Sequence, residues 1–73
     1  RWIIISAILC LYFYREIIRE AEQYLKKGGI LAFEIGYDQG EAVSQLMEKQ
    51  GYSEVQVIQD LAGLDRCVTG IRK

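Results

Sequence analysis

Histidine and proline are both absent from the 73 residues. Without imidazole, Ser-His and Cys-His catalytic pairs and His-ligated metals are excluded within this chain. Without proline, the turns fall to the seven glycines and to Asp. Cysteine is scarce: Cys10 and Cys67 form neither a C-x-x-C pair nor a zinc pattern. They read as a reduced, cytosolic pair, both in apolar surroundings that make a thiol inert. Excess charge is missing too. Nine Lys+Arg against ten Asp+Glu leave a net charge of −1, which excludes the electrostatic footprint of a general nucleic-acid binder. What is plentiful is apolar side chain, 51% of the chain, too much for disorder. The length allows one small domain, 1–73, that buries little surface by itself.

The first segment, 1–10, is atypical. From Trp2 to Tyr14 there is no charge. As a helix, that run covers only ~20 Å of a bilayer core ~30 Å thick, too short for a span. Bulky Tyr12, Phe13 and Tyr14 follow where a signal peptide needs small residues. The run therefore reads first as core or interface, with a membrane-attached remnant as the alternative. Ile3, Ile4, Ile5 and Ile8 with Trp2 favour a buried strand, although periodicity does not separate strand from helix here.

From Tyr14 the pattern changes. Tyr14, Ile17, Ile18, Ala21, Tyr24 and Leu25 recur at helical spacing, and charged residues fill the opposite side. This predicts a helix over 13–27, with Glu22 and Lys26 paired four apart and Gly28 as its left-handed cap. Ile30–Ile35 is apolar on both faces apart from Glu34, the mark of a central strand. Asp38 and Glu41 have the spacing of a capping box before a helix over 40–50, whose apolar face is Ala42, Val43, Leu46 and Met47. Gly51 stops it. Two strands close the chain, near 53–59 and 66–72. Val55 and Val57 point inward in the first; in the second either Cys67, Thr69 and Ile71 or Val68 and Gly70 do. The short connection Asp60–Asp65 allows only an antiparallel relation between them.

The candidate acids are Glu34, Asp38, Glu41, Asp60 and Asp65. Asp38 and Glu41 read as caps, Asp60 and Asp65 as turn residues. Glu34, the lone charge of a buried strand, stands one residue before the strand end, where open α/β sheets bind ligands. It is either a site residue or the partner of a backbone N–H. No glycine-rich phosphate loop or carboxylate cluster is present, and no catalytic residue is assigned.

The strings Tyr12-Phe13-Tyr14-Arg15-Glu16-Ile17-Ile18, Leu25 to Gly36, Gln39-Gly40-Glu41-Ala42-Val43 and Asp60-Leu61-Ala62-Gly63-Leu64-Asp65-Arg66 resemble the C-terminal end of the HemK/PrmC-type release-factor glutamine methyltransferases. The resemblance runs from Leu11 to about Arg72. It implies an α/β fold: the C-terminal strands of a Rossmann-like methyltransferase sheet, two amphipathic helices, and a last, antiparallel strand lying beside Ile30–Ile35. Full-length members use S-adenosylmethionine to methylate a glutamine of peptide chain release factors. The glycine-rich cofactor loop, the ribose-binding acid and the Asn-Pro-Pro-Tyr motif have no counterpart here, so no cofactor is expected for this chain. Glu34 and Gly36 are the positions that would wall the pocket. Lys27 replaces a usual Pro, and Trp2 to Cys10 departs from a loop rich in Gly, Asp and Glu.

The resemblance also implies that Ile30–Ile35 has lost its neighbour on one side. Trp2 to Leu9 is the only spare segment able to fill that edge, parallel, with the helix as a right-handed crossover. Two helices then have two sheet faces to cover. The expectation is a homo-oligomer with residues 2–14 at its interface.

Overall fold

A computed structural model describes residues 2–5 and 10–73. Their elements are β1 (Trp2–Ile5), α1 (Leu11–Ala21), β2 (Ile30–Glu34), α2 (Gly40–Lys49), β3 (Ser53–Gln59) and β4 (Asp65–Ile71). The sheet order is β1-β2-β4-β3. β1 runs parallel to β2, with Trp2 opposite Ile30 and Ile5 opposite Phe33. The expected parallel strand is thus present over 2–5, while the part of it at 6–9 lies outside the described residues. β4 is antiparallel to both of its neighbours and separates β2 from β3.

Alternation assigns the faces. Leu31 and Phe33 stand opposite Gly70 and Val68, and Ile3 and Ile5 continue the same side. Onto that side pack Tyr14, Ile18, Ala21 and Leu25 from α1 and the turn after it, and Val43 and Met47 from α2. Leu31, Phe33, Val68, Val43 and Met47 are fully buried there. A fully buried Phe or Leu contributes about 1.5–3 kcal/mol by leaving water. Tyr14 and Phe33 meet edge to face, with centroids 5.2 Å apart. Of the two alternatives open for the last strand, Val68 and Gly70 face the core. The two helices contact each other and share one cluster. Rather than taking a face each, they occupy the same one.

Hydroxyl groups fasten the helix layer. Tyr14 donates to the Glu34 carbonyl at 2.9 Å, and Tyr52 donates to the Ile18 carbonyl at 3.1 Å. Burial, with Glu22 adding to it and Arg72 opposing, pushes the Tyr52 phenol up to about 12. It therefore remains a donor throughout the neutral range.

Several local expectations give way. α1 ends at Ala21, so Glu22 is not paired with Lys26 along a helix; its carboxylate accepts from Gln50 Nε2 at 3.0 Å. Gly28 does adopt a left-handed conformation, φ 84°, but in the turn entering β2, where its N–H donates to Arg72 O. Tyr24 lies past the helix end and is exposed. Gly51, φ 99°, is a true helix stop. Its N–H donates to Glu48 O and that of Tyr52 to Met47 O, the paired bonds of a Schellman motif. Val57 is exposed rather than inward, because β3 is the outer strand and only Val55 reaches the cluster. The register of β3 slips between Ser53 and Gln56, where Glu54 takes φ 50°.

Gly70 is the tightest point. A Cβ there would lie 2.6 Å from the Met47 methyl, 3.3 Å from Tyr52 Cβ and 3.4 Å from a Val55 methyl. The methyl can swing aside, but Tyr52 Cβ is fixed to the backbone. Gly70→Ala should therefore cost about 1–3 kcal/mol by overpacking, read as a lower urea midpoint. An unchanged midpoint would show that this contact is slack.

Candidate functional site

The candidate site is the C-terminal end of β2, where the chain leaves the sheet. Ile35, just past the strand, is buried, and its N–H donates to Arg66 O at 3.0 Å. Gly36 N–H donates to Gln39 Oε1 at 2.9 Å, and Gln39 N–H returns to Gly36 O at 3.0 Å. This closes the turn Gly36–Gln39. A Cβ on Gly36 would stand 3.3 Å from an Asp38 carboxylate oxygen. Glycine fits because the turn folds its own side chains back over this backbone.

Glu34 is exposed. Its backbone carbonyl, held by Tyr14, is the part that carries the fold. Its carboxylate stands near Cys67, across the ladder, and adds to burial in pushing that thiol up. At the strand end the Glu34 carboxylate is open to solvent.

Asp38 and Glu41 do not form the expected capping box. The N-cap of α2 is Gln39, with no side-chain cap bond, because the Gln39 amide is turned towards Gly36. Asp65 is brought alongside instead. One of its oxygens occupies the space that a Cβ at Gly40 would need, and the other accepts from Gln59 Nε2 at 3.0 Å. A carboxylate beside the first turn of a helix is favourably placed. Only in three dimensions does this acid approach α2, 25 positions further along the chain than Gly40.

Asp60 is the turn residue expected. Its Oδ1 accepts from the N–H groups of Ala62 at 2.9 Å and Leu64 at 3.0 Å. Its Oδ2 meets Arg66 Nε at 2.7 Å. The hydrogen bond from Arg66, then that from Leu64, holds this carboxyl below the usual range. The cysteines differ from the expectation. Cys10 is exposed, so only Cys67, half-buried, has the shielded surroundings foreseen for both. Both are free thiols.

These groups gather in the turn that follows β2. The N–H groups of Ile35 and Gly36 are already donated within the chain. Among the described residues no cluster of acids and cysteines could hold a metal ion. A groove of about 390 Å³ lies between the helices, lined by Leu11, Tyr12, Arg15, Ala42, Leu46 and Lys49. Sequence reasoning did not single it out, since it exists only where α1 and α2 meet. It pairs no nucleophile with a base.

Because the folded Asp60 carboxyl is depressed, its contribution is complete above the ordinary carboxylate value, about pH 4. It is lost as pH falls through the lower folded value. Asp60→Asn should flatten the acid limb of a plot of urea midpoint against pH. Parallel acid limbs for variant and parent would contradict the assignment.

The chain is similar to release factor glutamine methyltransferases. It is 47% identical over 58 residues to that of Clostridium botulinum, a match covering 80% of this chain and 20% of the relative. To that of Coxiella burnetii it is 48% identical over 56 residues, covering 77% and 20% respectively. It thus spans about a fifth of the length of the curated relatives it matches. In structure it resembles the protein-(glutamine-N5) methyltransferase, release factor-specific, of Alicyclobacillus acidocaldarius. There the TM-score is 0.70 and the identity 28%, over 88% of this chain and 41% of that one. No protein-family profile matches the chain.

Proposed function

We infer that this chain, a homologue of one segment of the release factor glutamine methyltransferases, is the C-terminal, sheet-completing part of such a methyltransferase and does not transfer methyl groups by itself. One observation carries the reading. The antiparallel strand β4 sits between β2 and β3, the arrangement that the resemblance implied, in a chain 47% identical to a family member over 58 residues.

In a whole enzyme of this kind S-adenosylmethionine supplies the methyl group and a release factor glutamine receives it. The residues here do not make a site for that cofactor. The two backbone donors at the end of β2 are spent on Arg66 O and Gln39 Oε1. What is left is the exposed Glu34 and the glycine turn, enough to wall a pocket whose other side lies elsewhere. Tyr14 fixes the Glu34 carbonyl and so sets the height of that wall.

A second reading, a self-associating structural module, is favoured by the free edge strand. β1 exposes Trp2 and Ile4, and the start of α1 exposes Leu11, Tyr12 and Phe13. This puts the contact within 2–14. A membrane-attached remnant has less support: no described helix is long and apolar enough to cross a membrane. Free thiols at Cys10 and Cys67 accord with a cytoplasmic setting.

Two measurements test the first reading. Calorimetry of the 73-residue chain with S-adenosylmethionine should show no binding; micromolar affinity would overturn the inactive-segment reading. Residues from Leu11 onward, grafted into the Clostridium botulinum relative in place of its matching segment, should preserve methyl transfer to a release factor. A folded but inactive graft would argue against the segment's assigned place.

A further inference from the structure

The turn Gly36–Gln39 is held at both of its ends by two consecutive residues at the start of β4, Asp65 and Arg66. On the entry side the N–H of Ile35 donates to Arg66 O at 3.0 Å. On the exit side Asp65 stands on buried Gly40. One carboxylate oxygen fills the place of a Cβ there, and Asp65 Cγ and Cβ would lie 3.0 and 3.2 Å from that Cβ. Both residues are anchored behind the turn. Gln59 Nε2 donates to the other Asp65 oxygen at 3.0 Å, and Arg66 Nε donates to Asp60 Oδ2 at 2.7 Å. Asp60 in turn accepts from the N–H groups of Ala62 and Leu64. Every contact of this bracket lies within the described residues.

We propose that Asp65 is a positioning residue for methyl transfer: by standing on Gly40 it fixes the exit of the 36–39 turn, and with it the pocket wall at Glu34 and Gly36. The inference rests on the reading of this segment as part of a methyltransferase. Packing supports it. Gly40 is not among the glycines with positive φ, so its backbone would accept Ala without strain. What the position lacks is space, and Asp65 takes that space. The two residues are a matched pair, a carboxylate lying where a methyl group is missing. Charge supports it too. Gln59 offers a donor to one oxygen, and the start of α2 presents the positive end of a helix to the other. The entry of the turn, by contrast, hangs on the Arg66 carbonyl, which no side-chain substitution removes. Asp65 is therefore the side chain through which the turn can be shifted. A shift of ~1 Å at a wall that orients a reactant costs on the order of 100-fold in rate. Cofactor affinity is spared, because the residues here do not make a site for the cofactor.

The test uses the graft of residues from Leu11 onward into the Clostridium botulinum relative. In that enzyme Asp65→Ala should lower kcat about 10- to 100-fold and leave KM for S-adenosylmethionine within about twofold. Gly40→Ala pushes the carboxylate away from the other side and should give the same split. Together the two should cost less than the product of their separate effects, because removing the carboxylate makes room for the new methyl group. Circular dichroism checks that each variant remains folded. An active graft whose kcat is indifferent to both substitutions overturns the role of Asp65 and keeps the place of the segment. So do effects that multiply, or a KM for S-adenosylmethionine that rises in step with the loss of kcat. A graft already inactive without substitution overturns the reading of the segment, and this inference with it. If Asp65→Ala does not fold, Gly40→Ala decides by the same split between kcat and KM.

Discussion

The insertion of β4 between β2 and β3 is the constraint on which the rest of the molecule depends. It requires a strand of seven residues to pair along both edges while lying under a helix. Gly70 makes that possible, since Met47 and Tyr52 occupy the space a side chain would need. With β4 in the middle, β3 becomes the outer strand, which is why Val57 is left at the margin of the core. The same insertion brings Arg66 O to the N–H of Ile35 and Asp65 to the start of α2. The geometry at the end of β2 is therefore set from both directions of the chain.

The helix layer is held by apolar burial and positioned by two phenols. Tyr14 and Tyr52 each donate to a backbone carbonyl from far along the chain, at separations of 20 and 34 residues. A buried hydroxyl without a partner would be costly, so these bonds choose one arrangement among those that burial alone would tolerate. Placing both helices on one side gives that side a dense core. The price is a sheet face with Trp2 and Ile4 in the open. A small domain has too few elements to cover two faces.

Acids and a glycine turn gather at the strand end, yet the backbone donors of Ile35 and Gly36 are satisfied internally and no base–nucleophile pair is formed among the described residues. The chain matches about a fifth of the length of its methyltransferase relatives, and the described helices lie on one side of its sheet.

The sequence by itself determined the order and type of the elements. Periods of two and of three to four residues express local backbone geometry, and Gly51 and Asp60 are local devices as well. Strand 53–59 and the helix at 40–49 need no distant contact to be legible. The position of β4 beside β2 was legible only through family resemblance, because pairing order is not a local property. Tertiary structure alone decided the remainder. It placed both helices on one face, turned Val68 and Gly70 inward, ended α1 at Ala21, and brought Asp65 to Gly40. It also exposed Cys10 while shielding Cys67, and left Glu34 open at the strand end. Each of these depends on which surfaces meet across the sheet, and periodicity records that a side is apolar without recording what covers it.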